Sequence, residues 1–160
     1  MSIAFSSNEL ISMAISIERN GIVFYDIMAK STENPEAQQI FQILANMERG
    51  HIEVFNKLLD ETENSQPLAL DEEYKKYFQT LVDNAVFTDD TINSEMVATT
   101  NSDLAALELG ISAEKDSLLF YYEMKEVVPP PVTAAINKII TEEKLHLQQL
   151  SALKERVDRD

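Results

Sequence analysis

Three stretches of this chain carry apolar residues at spacings that alternate three and four, the pattern of helices that bury one face in a bundle. The first runs Ile11, Ala14, position 18, Gly21, Tyr25 and Met28, the second Phe41, Leu44, positions 48 and 51, Phe55 and Leu58, and the last Ile136, Ile139, positions 143 and 146, Leu150 and Leu153. Local signals set their ends. Ser7 or Asn8 can cap a first helix over about 8–31, and Asn34-Pro35 reads as a cap followed by Pro at the first helical position, opening a helix over 35–63 that frays before Pro67. Asn101 or Ser102 caps a third long helix over 102–127. Pro129-Pro130-Pro131 ends it, because the residue before Pro avoids helical angles and Pro lacks an amide donor, and a last helix spans 131–157. Residues 65–101 exceed the short loops that join neighbouring antiparallel helices. They are predicted to form a structured crossover, with a helix over about 71–86 whose Tyr74, Tyr77, Phe78 and Leu81 serve packing, and a second short helix around Ser94 to Ala98. The expected fold is all-α, one domain over 1–160 built as an antiparallel four-helix bundle with a long, partly helical connection between its second and third long helices.

The two halves repeat. At an offset of 96, Ser16 meets Ser112, Glu18 meets Glu114, Arg19 meets Lys115, Phe24 meets Phe120, Tyr25 meets Tyr121 and Met28 meets Met124. At an offset of 95, Glu48 meets Glu143 and His51 meets His146. By the repeat, the inward positions of the third long helix are Leu107, Gly110, Glu114, Ser117, Tyr121 and Met124.

The interruptions of the apolar stripes are therefore regular, and they are charged. Glu48-x-x-His51 and Glu143-x-x-His146 use both histidines of the chain, and residues three apart on a helix share a face, so each pair can close on one ion. Counted from the hairpin turns, Glu18, Glu48, Glu114 and Glu143 all lie 12 or 13 residues deep, about 20 Å along their helices. None of the inward positions is Lys or Arg. Four buried carboxylates without cations would each cost several kcal/mol or take up protons, whereas two divalent ions would balance their charge.

Composition narrows the chemistry. Cysteine is absent, which excludes disulfides, thiolate catalysis and Cys-ligated metals, so any ion is held by oxygen and nitrogen. A net charge of -15, from 28 acidic and 13 basic residues, opposes nucleic acid and anionic lipid as partners. No apolar run approaches a membrane span and the N-terminus has no signal-type core, so a soluble, cytoplasmic protein is expected.

The set Glu18, Glu48-x-x-His51, Glu114 and Glu143-x-x-His146 on four helices with a long central connection resembles the ferritin-like di-iron carboxylate superfamily and, within it, the rubrerythrin group. The resemblance implies two iron ions per chain, with manganese or zinc able to occupy the same donors. Glu18 and Glu114 would be ligands from the first and third long helices, Glu48 and Glu143 bridging carboxylates, and His51 and His146 terminal nitrogen ligands. Tyr25, and Tyr121 or Tyr122, fall where rubrerythrin-like proteins place tyrosines that hydrogen-bond ligand carboxylates, although they can equally be plain core aromatics.

Two departures stand out. Rubrerythrins carry a four-cysteine rubredoxin domain, so a chain without cysteine needs a separate electron-donor protein. They also have an extra carboxylate one turn after the third helix's ligand. Here that position is Ser117, while Asp116 points elsewhere.

The implied activity is reduction of hydrogen peroxide or O₂ with oxidation of Fe(II), and a homodimer is expected. Two alternatives remain: a ferroxidase linked to iron handling, against which the lack of a fifth helix counts where storage in a cage is concerned, and a non-catalytic metal-binding or interaction bundle.

Overall fold

The computed structural model describes residues 6–61, 68, 70–92 and 102–159. Among them the chain forms five helices: α1 (Ser7–Ser31), α2 (Pro35–Glu61), α3 (Glu72–Asp83), α4 (Asp103–Lys125) and α5 (Pro130–Arg159). The short helix expected around Ser94 to Ala98 and the expected end of the second helix at residue 63 lie outside the described residues.

The helix starts follow capping chemistry. Ser6, rather than Ser7 or Asn8, caps α1: its side chain accepts from the Glu9 N–H while Glu9 accepts from the Ser6 N–H, a reciprocal capping box. Asn34 Oδ1 accepts from the N–H groups of Glu36 and Ala37 at 3.0 and 3.1 Å, with Pro35 as the first helical residue of α2. Asp71 and Ser102 cap α3 and α4 in the same way. Two ends are earlier than the sequence suggests. α3 stops at Asp83, where Asn84 takes up the C-cap, and α4 stops at Lys125, leaving 126–129 as a turn into α5, which begins one residue sooner, at Pro130.

α1 packs along α2 and α4 along α5, each pair a hairpin closed by a short loop. The hairpins then meet through α1 on α4 and α2 on α5. Both of these contacts are antiparallel as well: Glu18 meets Tyr121 while Tyr25 meets Glu114, and Glu48 meets His146 while His51 meets Glu142. A bundle in which all four neighbours run antiparallel needs its central connection to travel the bundle's length, which is why so long a segment separates α2 from α4. α3 lies in that connection against α4. Phe78 is its one buried residue, with its ring edge-on to Phe120 at 5.6 Å, while Tyr77 is exposed and Tyr74 donates to Glu123 at 2.8 Å. Further along, Asp116 accepts from the Val86 N–H at 2.8 Å, Asn20 donates to Asp89 at 3.1 Å, and Phe87 packs on Phe24. No helix among the described residues is long and apolar enough to cross a membrane.

The apolar core is split in two. One cluster gathers Leu10, Ile11, Ala14, Phe55, Tyr121, Met124 and Ile136, and the other gathers Phe24, Tyr25, Met28, Phe41, Leu44, Leu107 and Leu150. Between them lies a cross-section with no apolar filling of its own. Because Phe78 is the apolar anchor of the crossover helix, Phe78→Ala is expected to lower the unfolding free energy of the metal-free protein by about 3–5 kcal/mol. Urea unfolding followed by circular dichroism reads this directly, and a change under about 1 kcal/mol would mean that α3 does not depend on that contact.

Candidate metal centre

The cross-section between the two apolar clusters holds Glu18 from α1, Glu48 and His51 from α2, Glu114 from α4, and Glu143 and His146 from α5, each at most 4 % exposed. They fall into two groups: Glu18, Glu48, His51 and Glu143, and Glu48, Glu114, Glu143 and His146. Within each group the donor atoms lie within 4.8 Å of one another, and Glu48 and Glu143 belong to both.

The shared carboxylates divide their oxygens between the groups. Glu48 turns Oε2 to His51 Nδ1 at 3.3 Å and Oε1 to His146 Nδ1 at 3.2 Å. Glu143 turns Oε1 to His51 Nδ1 at 3.2 Å and Oε2 to His146 Nδ1 at 2.9 Å. Each imidazole also faces one unshared carboxylate, Glu18 at 3.3 Å from His51 and Glu114 at 3.7 Å from His146. The rings lie nearly parallel, 5.7 Å apart.

Two tyrosines brace the unshared carboxylates from opposite helices. Tyr121 on α4 donates to Glu18 Oε1 on α1, and Tyr25 on α1 donates to Glu114 Oε1 on α4 at 2.5 Å. Tyr122 is not part of this arrangement. Successive residues on a helix differ by about 100° in direction, so with Tyr121 turned inward its neighbour faces out. Tyr122 is exposed, with Lys125 and Lys144 over its ring at 4.9 and 5.2 Å. Ser117 is buried beside the site with its hydroxyl donating to the Ala113 carbonyl, and Asp116 is turned to the crossover.

Glu142 also belongs to the site, though no motif marks it. Its Oε2 lies 2.7 Å from His51 Nε2, so that the imidazole is held at both nitrogens. The repeat places Met47 where Glu142 stands in the second half, and His146 Nε2 has no hydrogen-bond partner among the described residues. The doublet Glu142-Glu143 against Met47-Glu48 is the only trace of this in the sequence.

Like charges this close cannot all ionise. Burial, together with the charge on Glu18, pushes Glu48 up to about 8, and burial with the charges of Glu48, Glu114 and Glu18 pushes Glu143 well above the carboxylate range. Burial also pushes Glu18 up, but its hydrogen bonds with Glu48 and His51 and the His51 charge outweigh that and hold it below its ordinary value. For both histidines burial disfavours the charged ring. The surrounding carboxylates win: hydrogen bonds to Glu143, Glu18 and Glu48 push His51 far up, and those to Glu114, Glu143 and Glu48 push His146 up to about 12. Burial and carboxylate charge also raise Tyr25 and Tyr121, which stay neutral donors.

This donor set fits a pair of divalent ions. No Lys or Arg is buried among the described residues, Glu114 Oε2 is buried without a hydrogen-bond partner, and carboxylate with imidazole suits Fe(II), Mn(II) or Zn(II). The arrangement is a buried Glu/His cluster able to bind metal.

Comparison with known proteins agrees with the geometry. The sequence matches the model of the Rubrerythrin family over residues 9–154. Among solved structures, a Thermotoga maritima protein assigned to the ferritin-like diiron-carboxylate class superposes with a TM-score of 0.73 at 28 % identity, covering 97 % of this chain and 98 % of the other. A dodecameric thioferritin, the bacterioferritin-related protein of Bacteroides fragilis, shares the fold with a TM-score of 0.69 at 21 % identity, over 98 % of this chain and 90 % of that one. No curated protein matches.

The raised acids give the metal-free protein a definite pH dependence. A group whose pKa is raised on folding contributes stability that is present below its unfolded value and lost as pH climbs through the folded one. For Glu48 that loss runs from 4.5 to about 8, Glu143 acts in the same direction, and the histidines add to it above 6.5. Glu18, lowered on folding, acts the opposite way, but only as pH falls below 4.5. The thermal midpoint of metal-free protein should therefore drop between about pH 5 and about pH 8, and Glu48→Gln should flatten the drop. A midpoint that rises over this window would contradict the charge assignment.

Proposed function

The chain belongs to the rubrerythrin family, and from that premise we propose that it holds two iron ions between its two Glu/Glu-x-x-His halves and reduces hydrogen peroxide or O₂ there, with oxidation of Fe(II). The observation that carries this reading is the division of the Glu48 and Glu143 oxygens between two imidazoles, the disposition expected of carboxylates that bridge two ions.

In this reading Glu18 and His51 would hold one ion, Glu114 and His146 the other, and Glu48 and Glu143 would serve both. Four carboxylates then meet four positive charges, and the protons that balance the metal-free site leave as metal enters. The tyrosines keep the unshared carboxylates in place. Tyr121 tethers one oxygen of Glu18 and leaves the other facing His51, and Tyr25 tethers Glu114 Oε1 while Oε2 stays free. Glu142 is a positioning residue, because its bond to His51 Nε2 presents Nδ1 to the cluster and fixes the ring's tautomer. When bound, two Fe(II) ions would supply two electrons, which with two protons would take one hydrogen peroxide to two waters, or one O₂ to hydrogen peroxide. These 160 residues contain no cysteine, so no rubredoxin-type site lies within them, and the electrons that restore Fe(II) come from a donor outside them.

An anaerobic Fe(II) titration of metal-free protein tests the reading first. Two tightly held ions per chain, followed by oxidation with added peroxide or O₂ and turnover with a reductase, are the expected result. None or one would overturn it. Glu48→Ala and His146→Ala should each weaken Fe(II) binding by at least about tenfold, the scale on which even outer-shell substitutions act, while helical content is kept. Unchanged metal content in either variant would remove that residue from the ligand set.

A further inference from the structure

The two halves of the cluster match in their donors and differ one contact further out. His51 turns Nδ1 to Glu18 and Glu48 at 3.3 Å and to Glu143 at 3.2 Å, while its Nε2 lies 2.7 Å from Glu142 Oε2. A carboxylate at the far nitrogen holds the ring proton there as N–H, which leaves the lone pair of Nδ1 turned to the place an ion would take and makes it more basic. This imidazole is set for an ion before one arrives.

His146 has the same inner contacts without that support. Its Nδ1 faces Glu143 at 2.9 Å, Glu48 at 3.2 Å and Glu114 at 3.7 Å, but its Nε2 is buried with no hydrogen-bond partner among the described residues. To offer Nδ1 to an ion, the neutral ring has to carry its proton on Nε2, and a buried N–H with nothing to accept it is costly for as long as the ion stays. Glu114 Oε2 is also buried and unpaired, yet an ion beside it would satisfy that atom. No ion held at Nδ1 can satisfy Nε2.

The repeat locates the difference in one position. At the offset of 95, Met47 stands where the second half has Glu142, and a thioether is only a weak acceptor. Both residues line the surface cleft between α2 and α5, with the Glu142 side chain 31 % exposed and Met47 37 % exposed, so either can be exchanged without disturbing the apolar clusters.

We propose that the cluster fills in a fixed order, one ion settling first against Glu18 and His51 and a second held more weakly against Glu114 and His146, with the acid at position 142 and its absence at position 47 setting that order. The proposal rests on the two-ion reading above. Changing an outer-shell partner of a ligating His alters metal affinity by about 10–100-fold, so the two dissociation constants should differ on that scale. Glu142 and Met47 are positioning residues that act through the imidazoles.

Mn(II) tests this without turnover, because electron paramagnetic resonance counts it in solution and anomalous diffraction locates it in crystals. Titration should resolve two steps at least about tenfold apart, and crystals prepared at one Mn(II) per chain should show the ion beside His51. Met47→Glu should tighten the second step by at least about tenfold while the first changes less than about twofold, and Met47→Gln, which accepts a hydrogen bond without adding charge, should act in the same direction. Glu142→Met should weaken the first step by at least about tenfold and bring the two occupancies together. Equal occupancy at one equivalent, or an ion beside His146 first, would overturn the order even where two ions bind. Tightening by Met47→Glu with none by Met47→Gln would make the effect one of charge and overturn the hydrogen bond as its cause. Absence of any bound Mn(II) would overturn the order as well, and the anaerobic Fe(II) titration then decides the two-ion reading on its own. A single Mn(II) beside His51, never followed by a second, would instead strike the two-ion reading and leave the preference for His51 standing.

Discussion

Four carboxylates and two imidazoles share one buried cross-section of a helical bundle, with no Lys or Arg buried among the described residues, and the rest of the structure answers to that constraint. Groups removed from water this completely must be neutralised from within, by protons or by metal ions. Protons do it in the metal-free chain, at Glu48, Glu143 and the two rings. The section itself adds no hydrophobic stabilisation. It is held shut by the apolar clusters on either side, where four aromatic or aliphatic stripes meet in full contact. A site of this kind is destabilising on its own and persists because packing above and below it holds the charged groups in place.

Antiparallel neighbours turn that constraint into precise geometry. With α1 and α4 running in opposite directions, the same pair of residue types, Glu and Tyr two turns apart, braces both sides: each Tyr reaches the other helix's Glu. With α2 and α5 opposed as well, each Glu-x-x-His pair faces the other in reverse, so that each shared Glu lies between both rings. The duplication in the chain thus becomes an approximate twofold arrangement around a space between the rings. The crossover, anchored by Phe78, Phe87 and the Asp116 carboxylate, is what allows the second hairpin to enter in the required direction.

Much of this could be read from residue order. The stripe positions of α2, α4 and α5 are all buried, and the six Glu and His that interrupt the stripes converge on one level, because helical period and rise are nearly invariant and a carboxylate or imidazole at a core position has few other reasons to be there. What escaped the sequence depended on phase or on contacts between helices. Tyr121 and Tyr122 both stand about two turns beyond Glu114; seven residues return closer to the Glu114 direction than eight do, and packing against Phe55 and Phe120 decides for Tyr121. The α1 cap moved to Ser6 because Glu9 supplies the reciprocal half of the capping box. Tyr77, expected to pack, is exposed, since a helix lying on one neighbour buries a narrower face than a bundle helix does. Glu142 could not be singled out because its partner, His51, lies 91 residues away.

The differences between the halves concern how the outside reaches the cluster. On one side, Gly21 and Ser117 line a small cavity that ends on Glu48 and Glu114. On the other, His51 connects through Glu142, whose side chain is 31 % exposed, to a surface cleft lined by Met47, Gly50 and Val54. His146 has no counterpart to that link, because the repeat offers Met47 in place of an acid. Symmetry in the cluster follows from the charge that two like ions would require, and nothing requires the approaches to match.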